Sequence, residues 1–462
     1  MGVAIALVVL VIGSLLFHFW SPWYFTPIAS NWSAIDDTIS ITFWVTGAVF
    51  VLVNLFMAYA IYRYRHRANA RAQYEPENKK LEWWLLAVTT VGVAAMLAPG
   101  LFVWAKFVDV PKDALVVEVV GQQWNWAYRL PGKDGKLGAV ATRHISDANP
   151  LGVVPTDPDG QDDLMVLSPE LHLPLGKPIK VLLRSNDVLH NFSVAQIRVK
   201  MDFVPGMVTQ FWFTPTRTGN FDLLCEELCG IGHFAMRGRM VVEEEGPYQA
   251  WLAQQPTFAQ LAARRGGGDA AAGQALFATC AACHGAQGEG NRELNAPKLA
   301  GQGSWYLRRQ LANYKQGARG TNDKDQYGKV MAPMAAVLAD DAAIDNVVAY
   351  IAKLPDTPAP VTVKGNPANG KQRFVTCGAC HGPDGLGIQA TNAPRLRGMS
   401  DWYAVTQLKN FRDGVRGAHP QDLHGAQMAL FAAGLTTDQA ILDIVAYIDT
   451  LADRPAKGGK GR

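Results

Sequence analysis

At 462 residues the chain is long enough for three or four domains of ordinary size. Its formal charge of +3 is small and no basic stripe with interleaved aromatics appears, which excludes nucleic acid as a partner. The 49% hydrophobic content hides a gradient: nearly all long apolar runs precede residue 110, and beyond it the sequence reads as soluble protein.

Residues Val3 to Trp20 carry no Asp, Glu, Lys or Arg and are long enough to cross a bilayer. A cleaved signal is the competing reading. The missing positive n-region and the missing A-x-A site favour a retained transmembrane helix. This segment and its periplasmic link are expected over 1–38, and a helical hairpin over 39–110 with charge-free spans at 41–62 and 83–104. Between the two spans lie Arg63, Arg65, Arg67, Arg71, Lys79 and Lys80, the signature of a cytoplasmic loop. The remainder is then expected outside, on the periplasmic face of a bacterial inner (cell) membrane, with the chain crossing it more than once. Glu82 sits at the cytoplasmic edge of its span, where a solvated acid is the simplest reading.

From 111 to 250 the pattern is short and β-like. LVVEVVGQQWNWAYRL and KPIKVLLRSNDVLHNFSV are rich in β-branched and aromatic residues, so an all-β barrel or sandwich is expected. A flexible linker is expected over 251–272, because LAARRGGGDAAAG is dense in glycine and alanine. The rest of the chain is an internal repeat with a constant 97-residue offset, predicting domains at 273–355 and 370–452, a Pro-rich linker at 356–369 and a basic tail at 453–462. FATCAACHGAQGEG aligns with FVTCGACHGPDGLG, Ala296-Pro297 with Ala393-Pro394, Trp305 with Trp402 and Met331 with Met428.

The six cysteines form three close pairs. Disulfides are the plain reading of an even count, but each pair is followed closely by a histidine. Cys280, Cys283 and His284, and again Cys377, Cys380 and His381, match C-x-x-C-H, the attachment signature of haem c. Two thiols at the start of a helix can bond the two vinyl groups of one porphyrin, and the next imidazole then faces the iron. Each domain also needs a distal ligand, for which a methionine would raise the potential. Met331 and Met428 share a frame and are the candidates; Met334 aligns with Phe431 and reads as core. Residues 269–452 are similar to dihaem cytochromes c built from tandem domains.

CEELCGIGHFAM, residues 225–236, gathers Cys225, Cys229, His233 and Met236. Zinc would leave the thioether unused, whereas electron-transfer copper takes two imidazoles, thiolate and a weak axial Met on a cupredoxin barrel. Two cysteines suggest two copper ions sharing thiolates. His190, in DVLHNFSV, is the natural second imidazole, although a lone strand histidine is more often structural.

With the charge-free hairpin, GQQWNWAY, VLHNF, KMDFVPG and this loop, the chain resembles subunit II of haem–copper cytochrome c oxidases in the form fused to cytochrome c. The resemblance implies a multidomain protein: a transmembrane α-helical anchor, an all-β cupredoxin barrel and two all-α cytochrome c domains. It implies a binuclear CuA centre in which His190 and His233 each bind one copper, Cys225 and Cys229 bridge both, Met236 is axial and Glu227 gives its backbone carbonyl. The Glu227 carboxylate matches a ligand for Mg at the boundary with the catalytic subunit. Trp124 matches the aromatic residue that receives electrons, against the plain reading of a core tryptophan. Asp202 matches an acid near the same subunit boundary, against a capped turn. Glu82 matches a proton-path residue, but the tryptophan–threonine–proline pattern that usually comes after it is missing.

The resemblance further implies an oxidoreductase subunit passing electrons from a periplasmic donor, cytochrome c or quinol–cytochrome c reductase, through two haems and CuA. The acceptor is a haem–copper catalytic subunit I, with subunit III as a further partner, which reduces oxygen to water and translocates protons. The corresponding subunit of a CuA-containing nitric oxide reductase and a free dihaem carrier with a copper-storage domain are the competing readings. Nitrous oxide reductase needs a histidine-rich second copper domain, which ten histidines in these positions do not supply.

Overall fold

In the computed structural model, residues 1–462 are described except 22–25, 69–70, 72–73, 75, 147–148, 265–266 and 453–462, so the expected basic tail lies outside the described residues. Three long apolar helices open the chain: α1 (Gly2–Trp20), α2 (Ser33–Arg63) and α3 (Lys79–Val108). α2 and α3 extend past the expected spans at both ends. At 1.5 Å per residue their 31 and 30 residues measure roughly 45 Å, more than a hydrocarbon core of ~30 Å requires. α2 also begins earlier than the expected hairpin boundary at 39. Nearly all their large apolar side chains are exposed, as a lipid-facing surface requires.

The β domain is a sandwich of two five-stranded sheets. One has the order β3-β2-β1-β5-β8, from Leu164–Val166, Asn125–Leu130, Leu115–Gln122, Ile179–Ser185 and Thr209–Phe213. The other has the order β4-β10-β9-β6-β7, from Glu170–Pro174, Arg237–Glu243, Gly219–Leu224, His190–Ser193 and Lys200–Phe203. Alternating residues such as Ile179, Val181 and Leu183 point inward and join Trp126, Tyr128, Phe192, Phe203 and Phe211 in one core.

The sandwich is fixed to the helices. The stretch before α2 is tied down by the Ser30 hydroxyl donating to the Ile197 carbonyl at 2.8 Å and the Trp32 indole donating to the Trp212 carbonyl at 2.9 Å. Trp212 in turn donates to the Lys106 carbonyl at 3.2 Å near the end of α3. The start of α2 and the end of α3 therefore share the β-domain end, which leaves the basic loop at the other.

Part of the expected flexible linker is structured. α4 (Glu245–Leu252) and α5 (Phe258–Arg264) follow β10, and Phe258 is buried against Val120, Leu151 and Met165. The glycine-rich composition marks only the short remainder before Ala270. Each helical domain then has four helices: α6 (Ala270–His284), α7 (Ser304–Lys315), α8 (Gln326–Ala336) and α9 (Asp341–Ile351), and α10 (Pro367–His381), α11 (Asp401–Arg412), α12 (Leu423–Ala432) and α13 (Asp438–Ala452). α6 crosses α9, and α10 crosses α13. A Cβ at Gly273 would lie 1.9 Å from the Asn346 carbonyl oxygen, and one at Gly370 1.9 Å from that of Asp443, so only glycine permits these crossings.

The two domains face each other with pseudo-twofold symmetry. Arg319 donates to the Tyr403 hydroxyl at 2.7 Å and to Gln407 at 3.1 Å. Arg416 donates to Tyr306 at 3.0 Å and to Gln310 at 2.9 Å, the same partners one repeat earlier.

A buried ion cluster stiffens the β domain. Arg129 bridges Glu118 at 2.9 Å and Asp163 at 2.7 Å, all with almost no solvent contact. Burial opposes ionisation of Glu118, but Arg129 and Arg184 outweigh it and hold its pKa below the ordinary value. At Asp163 burial prevails and pushes the pKa up to about 6 despite Arg129. Arg129→Met, which strands Asp163 and leaves Glu118 with Arg184 alone, should lower the stability of the β domain by about 3–5 kcal/mol. The shift of its unfolding transition in calorimetry measures this.

Candidate metal and haem sites

Two segments distant in sequence build the first site. His190 opens β6, and residues 225–236 connect β9 to β10 in the same sheet. The loop is closed by the Cys225 amide donating to the Met236 carbonyl at 3.3 Å. Within it, the Cys225 and Cys229 sulfurs stand 3.7 Å apart. His190 Nδ1 lies 3.9 Å from Cys225 Sγ, and His233 Nδ1 3.5 Å from Cys229 Sγ. Met236 Sδ is 3.8 Å from Cys229 Sγ, and the Glu227 carbonyl oxygen 3.3 Å from Cys225 Sγ. All six expected donors converge. His190, Cys225, Cys229 and Met236 are buried, which suits a dry centre of soft ligands.

A tetrahedral ion with bonds of about 2.3 Å spaces two thiolates about 3.8 Å apart, close to the observed 3.7 Å. That spacing suits thiolates sharing a metal, and the thioether beside two imidazoles fits copper rather than zinc. A disulfide would need ~2.05 Å, so that reading of this pair fails. The six cysteines are free, which disposes of it for the other two pairs as well.

The electrostatics favour a thiolate. Hydrogen bonding between the two sulfurs pulls the Cys225 pKa down against burial, with help from His190, and pushes that of Cys229 far up. Burial opposes a charge on His190, but the hydrogen bonds to Asp187 and Cys225 raise its pKa above the ordinary value. His190 Nε2 is 2.8 Å from Asp187 Oδ1, which leaves Nδ1 aimed at the sulfurs. Asp187 escaped the sequence reading, although its place three residues before the histidine was a usable signal.

Trp124 is buried in the core beside the loop, and its indole donates to the Cys229 carbonyl at 3.1 Å. A Cβ at Gly232 would fall 2.4 Å from the Trp124 ring, so glycine is required there. Trp124 is thus a core residue that also touches the sulfur loop. Asp202 accepts from the Asn191 amide at 2.6 Å, which places it one residue from His190 on the paired strand rather than in a turn. Glu82 is not brought near this site. It lies in the first turn of α3, roughly 39 Å of helix from Val108.

The second and third sites repeat each other. α6 ends in Cys280, Cys283 and His284, and α10 in Cys377, Cys380 and His381. His284 Nδ1 lies 2.7 Å from the Pro297 carbonyl oxygen, and His381 Nδ1 2.7 Å from that of Pro394. Burial lowers both pKa values, more than these carbonyls raise them, and the contact at Nδ1 leaves Nε2 of each ring without that partner. Met331 on α8 and Met428 on α12 are both half-buried, whereas Met334 is exposed rather than the expected core residue. The aligned Ala-Pro pairs had marked the two carbonyls in the sequence, without revealing their role.

A sulfur–imidazole cluster in a β sandwich, next to two C-x-x-C-H helices, defines a membrane-anchored electron-transfer protein of copper and haem c. Residues 115–244 match the family described as cytochrome C oxidase subunit II, periplasmic domain, and residues 270–355 and 367–452 match cytochrome c. The alternative cytochrome c oxidase subunit 2 of Bradyrhizobium diazoefficiens is 61% identical over 264 residues, covering 57% of this chain and 95% of that protein. The cytochrome c oxidase subunit 2 of Cereibacter sphaeroides is 29% identical over 240 residues, covering 50% of this chain and 77% of that protein. Reduced cytochrome c4 from Pseudomonas stutzeri is 29% identical over 39% of this chain and 97% of its own, with a TM-score of 0.32. The chain belongs to the cytochrome c oxidase subunit 2 family.

Asp187→Ala, which frees the His190 ring without touching a ligand atom, should weaken copper binding by about 10- to 100-fold. Competition against a chelator of known copper affinity measures it.

Proposed function

We propose that this chain is the electron-input subunit of a respiratory haem–copper oxidase, taking electrons from a periplasmic donor and passing them to a catalytic subunit that reduces oxygen to water with proton translocation. The observation that carries this reading is the convergence of six soft and carbonyl donors from β6 and the β9–β10 loop, with sulfur–donor separations of 3.3–3.9 Å. His190, His233, Cys225, Cys229, Met236 and the Glu227 carbonyl would hold a binuclear CuA centre, with the two thiolates shared between its coppers. The Glu227 carboxylate is then available for Mg at the boundary with the catalytic subunit. His284 and Met331 would ligate one haem iron, and His381 and Met428 the other. When bound, these metals supply one-electron storage, and shared thiolates keep bond changes on reduction small.

The surrounding residues do the rest. Asp187, Pro297 and Pro394 lock the imidazoles in the binding tautomer, and the aromatic core excludes water from the thiolates. The three apolar helices anchor the chain, with the basic loop between α2 and α3 inside and the soluble domains outside. Glu82 lies at the inner end, where it is placed to admit protons to the partner subunit. Subunit III is a further expected neighbour.

The purified chain should contain two covalently held haems and one mixed-valence copper pair, as read by pyridine haemochrome and electron paramagnetic resonance. Cys225→Ser should abolish the copper signal and leave both haems in place. The assembled complex should consume oxygen; consumption of nitric oxide instead would reassign it to the reductase.

A further inference from the structure

The 97-residue repeat permits a direct comparison of how its two copies meet the copper domain. In the second copy, Gln427 Nε2 donates to the Trp124 carbonyl at 2.6 Å and to the Ala235 carbonyl at 3.3 Å. Gln427 precedes Met428, and Ala235 precedes Met236, so one side-chain amide joins the backbones beside two candidate axial ligands. Phe431, one turn further along α12, packs its ring 5.0 Å from that of Phe234 in the sulfur loop. The attachment helix also takes part: Ala379 and Cys380 pack against the β-domain core, and the Gln122 side chain donates to the Ala390 carbonyl at 2.5 Å.

The first copy differs at each of these positions. Val330, equivalent to Gln427, is 64% exposed, and Met334, equivalent to Phe431, is 40% exposed. Ala282 and Cys283, equivalent to Ala379 and Cys380, are exposed as well. The first domain approaches the β domain through α7 instead, where Trp305 and Arg309 line cavities beside Leu167. It also meets the second domain through the reciprocal Arg319 and Arg416 hydrogen bonds.

We infer that the two haem domains act in a fixed order: the second is the sole donor to the copper pair, coupled to it through Gln427 and Phe431, and the first accepts electrons from outside and passes them to the second. This rests on the reading of the chain as an electron-input subunit. In the final step one electron leaves the iron of the second domain, Fe(II) becoming Fe(III). The Cu(II)Cu(I) pair becomes Cu(I)Cu(I), and no bond breaks and no proton moves. A tethered domain already docked on its acceptor needs no diffusional search, so the internal step is limited by coupling across this contact. Gln427 is a positioning residue. It holds the attachment edge at Cys380 and the Met428 segment against Trp124 and the loop.

The test is laser-flash reduction of the haem- and copper-loaded full chain, followed at the haem and copper absorption bands. Gln427→Glu replaces the donor to two carbonyls with a repelling carboxylate and should slow haem-to-copper transfer about tenfold, the population effect of one buried hydrogen bond lost from the docked state. Val330→Glu, the matched change in the first domain, should leave that rate unaltered. Haem content and the copper resonance signal should be normal in both. If Gln427→Glu does not fold, Phe431→Met, which carries the first repeat's side chain, replaces it and should also slow transfer. A spectroscopic readout is independent of rate: the ferric haem nearest the copper pair should speed the relaxation of its resonance signal. That enhancement should survive Cys280→Ala/Cys283→Ala and vanish in Cys377→Ala/Cys380→Ala. Slowing by Val330→Glu alone, slowing by neither variant, or an enhancement that tracks the first haem would overturn the order. Absence of the copper signal in the unsubstituted chain would instead sink the functional reading itself.

Discussion

Two thiols held 3.7 Å apart in a dry pocket are the constraint on which the rest of this molecule depends. Left to themselves, cysteines four residues apart in an oxidising compartment would close to a disulfide. Here one end of the loop is pinned to β9 and the other to β10, while Gly232 admits the buried Trp124 ring against its backbone. The sulfurs are thereby kept at a spacing that suits a shared metal and not a bond to each other. Hydrogen bonding within the pair also lowers the Cys225 pKa against its burial.

Around this pocket the protein is unusually well tied together for a multidomain chain. Ser30 and Trp32 fasten the helical anchor to the sandwich, Phe258 fastens the adjoining linker to it, and Gln427 and Phe431 fasten the second haem domain above the sulfur loop. Each tie is local and modest, but electron transfer depends steeply on separation, so rigid placement matters more than affinity. The Bradyrhizobium relative accounts for 95% of its own length within 264 matched residues, too little to include two further haem domains. In the present chain two cytochrome c domains are carried on the same polypeptide as the oxidase subunit II domain, and on the proposed reading a covalent tether replaces an encounter in solution.

The repeat shows how duplication and later divergence give two similar domains different tasks. Features around each C-x-x-C-H helix are duplicated in register: the motif itself, the proline carbonyl behind each histidine, the methionine frame and the glycine at the helix crossing. Features that touch a neighbour are not. Gln427 stands where the first copy has Val330, and Phe431 where it has Met334, at the face that meets the β domain. The reciprocal arginines stayed identical because the contact between the copies is itself symmetric.

Much of this was legible in the sequence, for a physical reason: each strong signal was local. Charge-free runs of bilayer length, C-x-x-C-H at a helix end and four metal-binding side chains within twelve residues all act over one or two turns of chain. They sufficed for the long apolar helices, the cytochrome c domains and most of the side chains that converge on the sulfur loop. His190 was reachable only because the loop lacked an imidazole. Tertiary structure decided the features that depend on separation in space: Asp187 behind His190, the prolines behind the haem histidines, the docking of α5 where a flexible linker was expected, and the domain that covers the sulfur loop. Composition cannot report such contacts, because a glutamine or a phenylalanine becomes a bridge only when packing brings a partner's carbonyl or ring within a few ångströms.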